Sequence, residues 1–307
     1  MHILTASPFK PIFNPVPGRG LMDGYRYFGY SASMTSDAPK KITVASIRKR
    51  KVQSDNQSGD RLVTITAYDY TFARLVDDSV DIVLVGDSLG MVIQGEANTL
   101  SVRIEDIIYH TRAVAKALRH AHLVADMPFM TYQTGAKDAV RNAGRLLSEG
   151  HAESVKLEGG VSVARIVTKM VDFGIPVMGH IGLTPQSVHA FGGYRIQGKT
   201  DSQREAILED ALALEDAGAY AIVLEGMPAD LAKEITSRIK IPTIGIGAGV
   251  HCDGQVLVCH DLLGMNPDFH PRFVKSYANL ADTVKNAVQQ FANEVHTGAF
   301  PEEKHSF

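Results

Sequence analysis

Residues 155–180 read VKLEGGVSVARIVTKMVDFGIPVMGH, and this one stretch holds a complete strand–helix–strand unit. Val155–Leu157 is a short run that ends in Glu158 and two glycines. Val163–Phe173 repeats apolar residues at helical spacing and stops at Gly174, the residue type favoured just past a helix end. Val177–Gly179 is a second apolar run, closed by His180. Strand, helix and strand in this order predict a crossover between parallel strands.

The same alternation continues in both directions. Strands are predicted at Leu62–Thr66, Ile82–Val85, Leu123–Ala125, Ala221–Leu224, Thr243–Ile246 and Val256–Val258, with helices at Ile104–Leu118, Ala136–Leu147, Arg204–Ala217 and Ala229–Ile239. Strands this apolar are buried on both faces, as in an all-parallel sheet. Eight of them make the chain α/β and predict a (β/α)8 TIM barrel. Only about eight residues follow Ile246 before the next strand, fewer than a crossover helix needs, so the seventh helix is expected to be degenerate. Phe273–Val295 is expected to close the chain as a long helix. An open doubly wound sheet is the alternative architecture.

The barrel accounts for residues 41–300 and leaves a tail, 301–307. The preceding residues 1–40 are dense in proline and glycine and follow neither a helical nor a strand period. They are expected to be a disordered extension. A mitochondrial transit peptide is the alternative, with few acidic residues but only Arg19 and Arg26, and upstream sequence before a start at Met22 or Met34 is a third. Across all 307 residues, 31 Lys and Arg oppose 34 Asp and Glu, for a formal charge of −3, and 45% of residues are apolar. This balance lacks the basic footprint of a nucleic-acid binder. No run approaches the roughly 18 apolar residues of a membrane span. Cys252 and Cys259 show no CxxC spacing, so no disulfide framework or zinc site is indicated. A cytoplasmic enzyme is expected, or a mitochondrial one if the extension is a transit peptide.

Catalytic groups of such barrels come from the carboxyl ends of several strands. Here the ends carry Asp87 with Ser88, Asp126, Lys156 with Glu158, His180 and Glu225. Lys156 and Glu158 lie two apart and project to one face of their strand. Each has a structural alternative: a turn or cap for Asp87 and Asp126, a loop position for Glu225, a core histidine for His180. Five successive strands with an ionisable residue at one end favour a shared site. Asp87, Asp126 and Glu158 offer only oxygen donors, which suits Mg²⁺, and a divalent ion chelating a 2-oxo acid would stabilise its enolate. Glu225 ends an apolar run, where desolvation would make it a stronger base. Lys156 could neutralise a substrate carboxylate. The glycines of Gly245–Gly249 lack dinucleotide-fingerprint spacing and suit a tight loop, with a phosphate cradle as the alternative. The cysteines are expected to be packing thiols, and His260-Asp261 a rim pair or a helix cap.

The blocks Val85–Met91, Ala125–Phe129, Val155–Gly160, Met178–Gln186, Ile241–Gly249 and Asp253–Val258 resemble those of the ketopantoate (3-methyl-2-oxobutanoate) hydroxymethyltransferase family. Thr66–Tyr70, Leu224-Glu225 and His260–Met265 extend the resemblance, which runs from Lys41 to Phe300. It implies a (β/α)8 barrel that binds Mg²⁺ through Asp87, Asp126 and Glu158. It also implies contacts to the oxo acid from Asp87, Ser88, Asp126 and Lys156, Glu225 as proton acceptor, and His180 near the site. The implied reaction takes a hydroxymethyl group from 5,10-methylenetetrahydrofolate and water, giving 2-dehydropantoate for pantothenate biosynthesis. Homo-oligomers, often decamers, are implied as well, with small-molecule substrates and no nucleic acid or membrane. A Mg²⁺-dependent lyase of the isocitrate-lyase type is the enzymatic rival, but its Lys-Lys-Cys-Gly-His loop has no match here. A catalytically silent metabolite-binding barrel is the other rival, and it would be expected to have lost a rim carboxylate.

Overall fold

The computed structural model describes residues 40–51, 61–267 and 271–307. The expected extension lies outside these residues, apart from Lys40. Eight parallel strands close a barrel in chain order: β1 (Leu62–Thr66), β2 (Ile82–Val85), β3 (His122–Asp126), β4 (Ser154–Glu158), β5 (Val177–Gly182), β6 (Ala221–Glu225), β7 (Thr243–Ile246) and β8 (Gly254–Leu257). An open sheet is excluded, because β1 pairs with both β2 and β8. The closing seam depends on Gly254, where a Cβ would lie 2.5 Å from the Leu62 carbonyl oxygen. No other residue lets β8 approach β1 so closely.

Helices alternate with the strands: α1 (Val44–Arg48), α2 (Tyr70–Val76), α3 (Leu89–Val92), α4 (Ile104–Ala115), α5 (Ala136–Ser148), α6 (Val161–Asp172), α7 (Val188–Phe191) and α8 (Asp201–Asp216). They continue with α9 (Ala229–Arg238), α10 (Cys259–Leu262) and α11 (Leu280–Thr297). Residues 247–253, between β7 and β8, turn and bend without forming a helix. The last helix starts at Leu280 rather than Phe273. The side chain of Asn279 caps it by accepting from the Asp282 amide, and the preceding segment is tied down where Tyr277 N–H donates to the Leu262 carbonyl. A bond of that kind takes the place of a helical one.

Alternation along each strand sorts the side chains into two sets. Outward residues such as Val83, Val85, Leu123, Val155 and Leu157 pack beneath the helices. Inward residues such as Ile82, Leu84, Val124, Met178, Val223 and Ile244 fill the barrel, and Ile47 of α1, fully buried, joins them. The inward rows continue into polar residues at the carboxyl ends. Asp126 pairs in register with Lys156, Glu158 with His180, and Glu225 with Gly182. Strands β3 and β4 are each longer than expected because polar residues at their ends, His122, Asp126, Ser154 and Glu158, face this interior instead of leaving the sheet.

A second polar layer lies at the other end of the barrel. His122 Nε2 is 2.9 Å from Ser154 Oγ, which is 2.9 Å from the Tyr220 hydroxyl. Burial pushes the His122 imidazole down to about 4, against the opposing pull of the Glu153 carboxylate. Between that value and the ordinary 6.5 the unfolded chain binds a proton that the native ring refuses. Stability therefore falls as pH drops through this window. From pH 7 to pH 5, the wild type should lose on the order of 2 kcal/mol of unfolding free energy that His122→Gln keeps. Chemical denaturation of both proteins at the two pH values checks this, and parallel losses would remove His122 as the cause.

Candidate active site

The carboxyl ends of β2 to β6 bring Asp87, Asp126, Lys156, Glu158, His180 and Glu225 to one mouth of the barrel. All but Glu225 are buried. The Asp87 amide donates to Asp126 Oδ2 at 2.9 Å. Asp126 Oδ1 lies 2.9 Å from Lys156 Nζ. Lys156 Nζ is in turn 3.2 Å from His180 Nδ1, and His180 Nε2 is 3.2 Å from Glu225 Oε2. With the ammonium as donor to Nδ1, the partners assign the proton of His180 to Nε2, facing Glu225. One line of contacts thus runs from Asp126 to Glu225.

Four carboxylates face one ammonium here, and the electrostatics show the surplus. Burial, reinforced by the Asp126 charge, pushes Asp87 up to about 7. Burial and the Asp87 charge raise Glu158 well above the usual carboxylate range. For Lys156, burial pulls downward, but Asp126, Glu158 and Asp87 outweigh it and hold the ammonium above its ordinary value. Burial and the Lys156 charge lower His180, which keeps the ring neutral. Glu225 retains 19% of its side-chain exposure, so the burial expected from its apolar run is incomplete.

Among the described residues, no group of three or more His, Cys, Asp or Glu side chains stands in metal-ligating geometry. The donor set nevertheless suits a hard cation. Glu158 Oε1 is buried without a hydrogen-bond partner, Asp126 Oδ1 meets only the Lys156 ammonium, and all three carboxylates bring oxygen alone. A divalent ion would also neutralise the surplus negative charge that burial makes costly.

Some residues at the site went unassigned in the sequence. Gln186, just after β5, donates from Nε2 to Asp87 Oδ2 at 2.8 Å and from its backbone to Glu158 Oε2 at 3.0 Å. The Tyr132 hydroxyl donates to Gln186 Oε1 at 2.7 Å. Tyr68 pairs with Ser88 Oγ at 2.8 Å, and Tyr194 feels the charges of Asp87, Glu225 and Glu158 from the loop after α7. Gln186 lies inside the distinctive Met178–Gln186 string, which was the one signal available. The tyrosines reach the site from loops of no periodicity.

The remaining expectations resolve locally. Both cysteines are buried, with their thiols pushed up to about 11 by burial. His260 packs its ring 5.7 Å from Tyr68 and 6.3 Å from Phe72. Asp261 sits within α10 and is not its cap, which is Val258. Gly249 has positive φ, and a Cβ there would lie 2.4 Å from that of Ala229, so close packing accounts for this glycine.

A family model described as ketopantoate hydroxymethyltransferase matches residues 41–303. A 3-methyl-2-oxobutanoate hydroxymethyltransferase of Pelobacter propionicus is 55% identical over 273 residues, covering 89% of this chain and 99% of its own. Enzymes of the same name from Clostridioides difficile and Geobacter sulfurreducens are each 52% identical, covering 87% and 86% of this chain and 96% and 98% of their own. Among solved structures, 2,3-dimethylmalate lyase of the PEP mutase/isocitrate lyase superfamily aligns with a TM-score of 0.55 at 14% identity, covering 87% of this chain and 90% of that one. Phosphonopyruvate hydrolase aligns with a TM-score of 0.53 at 14% identity, covering 86% and 92%. At such identity these structures share the fold alone.

Proposed function

The chain belongs to the ketopantoate hydroxymethyltransferase family, and from that premise we propose the one-carbon donor, the metal and the base of its reaction. The activity itself is hydroxymethyl transfer to 3-methyl-2-oxobutanoate, giving ketopantoate in pantothenate synthesis. The donor is 5,10-methylenetetrahydrofolate. A divalent cation such as Mg²⁺, held by Asp87, Asp126 and Glu158, would supply Lewis-acid polarisation of the oxo-acid carbonyl. A buried, unpartnered oxygen of Glu158, next to an Asp126 oxygen whose one partner is the Lys156 ammonium, is the observation that carries this assignment.

The chain's own groups do the rest. Asp87, Ser88, Asp126 and Lys156 bind the oxo acid, and the ammonium of Lys156 balances its carboxylate. Glu225 accepts the proton from C3, and the electron pair left behind forms the enolate. Neutral His180 holds its Nε2 3.2 Å from Glu225 Oε2 and does not compete for that proton. C3 then bonds to the one-carbon unit, water supplies the hydroxyl oxygen, and tetrahydrofolate leaves. Neither cysteine supports the lyase rival, since both thiols are buried and held in the neutral form. Incubation with 3-methyl-2-oxobutanoate, methylenetetrahydrofolate and Mg²⁺ should yield ketopantoate by mass. Absence of that product, or equal yield in EDTA, sinks the proposed donor or metal respectively.

A homo-oligomer in the cytoplasm completes the proposal. Val284, Val288, Phe291 and Val295 form an exposed apolar stripe along α11, a helix with no buried residue. A monomeric mass by light scattering would remove the oligomer. Among the described residues no helix is long and apolar enough to cross a membrane. The relatives are bacterial and lend the mitochondrial alternative no support.

A further inference from the structure

We propose that Gln186, locked by Tyr132, is a positioning residue that turns one oxygen each of Asp87 and Glu158 away from the reacting groups and so selects which oxygens a cation and the oxo acid meet. The inference rests on the metal reading above and deepens it. Gln186 is itself buried, and every polar atom of its side chain is engaged. Its Oε1 accepts from the Tyr132 hydroxyl at 2.7 Å and from Gln133 Nε2 at 3.2 Å. The sense of the amide is fixed from its other side, because the Met127 carbonyl there can only accept and so requires Nε2. It donates to Asp87 Oδ2 and to the Met127 carbonyl, at 2.8 and 3.0 Å.

Tyr132 is fixed in its turn, because its oxygen accepts from the Glu158 amide at 3.2 Å and its hydroxyl also reaches the Glu158 carbonyl at 3.1 Å, farther than Gln186 Oε1. The Gln186 backbone completes the clamp by donating to Glu158 Oε2 at 3.0 Å. A single residue thus occupies one oxygen of each of two carboxylates that come from separate strands. The other oxygen of Glu158, Oε1, is left buried and unpartnered. Outer partners of this kind orient metal-binding carboxylates, and their loss costs about 10–100-fold in metal affinity or activity.

Titration of Mn²⁺ into the metal-free full-length protein, followed by electron paramagnetic resonance, tests this. Gln186→Met should weaken Mn²⁺ binding at least tenfold and lower kcat at least tenfold, while KM for methylenetetrahydrofolate stays within twofold. Tyr132→Phe, which keeps the ring and drops the hydroxyl, should weaken Mn²⁺ binding about threefold or more. A merely structural role would lower the melting temperature in EDTA yet leave Mn²⁺ affinity of the folded protein unchanged. Should Gln186→Met fail to fold, Tyr132→Phe decides the matter alone. Variants that match the wild type within twofold overturn the positioning role but spare the metal reading. A wild type that takes up no Mn²⁺ overturns both.

Discussion

Glu225→Gln is expected to abolish exchange of the C3 hydrogen of 3-methyl-2-oxobutanoate with D₂O and to lower turnover by about 10³-fold, within the range for loss of a positioned base. The amide keeps the shape of the carboxylate, whose Oε2 lies 3.2 Å from His180 Nε2, so the barrel should fold unchanged. Binding of the oxo acid should change little, since that contact belongs to Asp87, Ser88, Asp126 and Lys156. The effect falls on the proton-transfer step alone, which separates it from loss of substrate affinity. Proton NMR of the oxo acid in D₂O, with and without folate, reads that step directly. Exchange at the wild-type rate would strip Glu225 of its role as base.

Asp126→Ala should be the most damaging substitution at the rim, eliminating metal-dependent turnover by 10³-fold or more. The side chain has two duties in this structure. Its Oδ2 accepts the Asp87 amide, and its Oδ1 sits 2.9 Å from the buried Lys156 ammonium. Removing one partner of a buried ion pair costs about 3–5 kcal/mol, so the alanine variant should also melt lower. Asp126→Asn separates the two duties. The amide oxygen can still accept from Asp87, while the charge that would hold a cation is gone. Its turnover should fall nearly as far as that of the alanine variant, with less of the loss in stability. If Asp126→Asn retains Mg²⁺-stimulated activity within tenfold of wild type, Asp126 is not a metal ligand.

The period of the apolar runs determined eight parallel strands and their class of barrel, because burial on two faces admits few other patterns. Position at the strand ends, together with the family resemblance, singled out Asp87, Asp126, Lys156, Glu158, His180 and Glu225, because a barrel brings those ends together whatever lies between them. Boundaries were less legible where a polar residue continued an inward row, as at His122 and Asp126, since a charge inside a barrel looks from the sequence like the end of a strand. The start of α11 was misplaced because hydrogen bonds from the preceding segment to α10 outweighed its helical pattern.

Only the tertiary structure decided what each polar group meets. Gln186 and Tyr132 come from loops after different strands, and nothing local in either sequence couples them to Asp87 or Glu158. The tautomer of His180 and the raised pKa values of Asp87 and Glu158 likewise depend on neighbours distant in the chain. Periodicity along the chain sets which face is buried, because burial acts on one residue at a time. Hydrogen bonds and charge interactions act between pairs, and the pairs exist only once the barrel has closed.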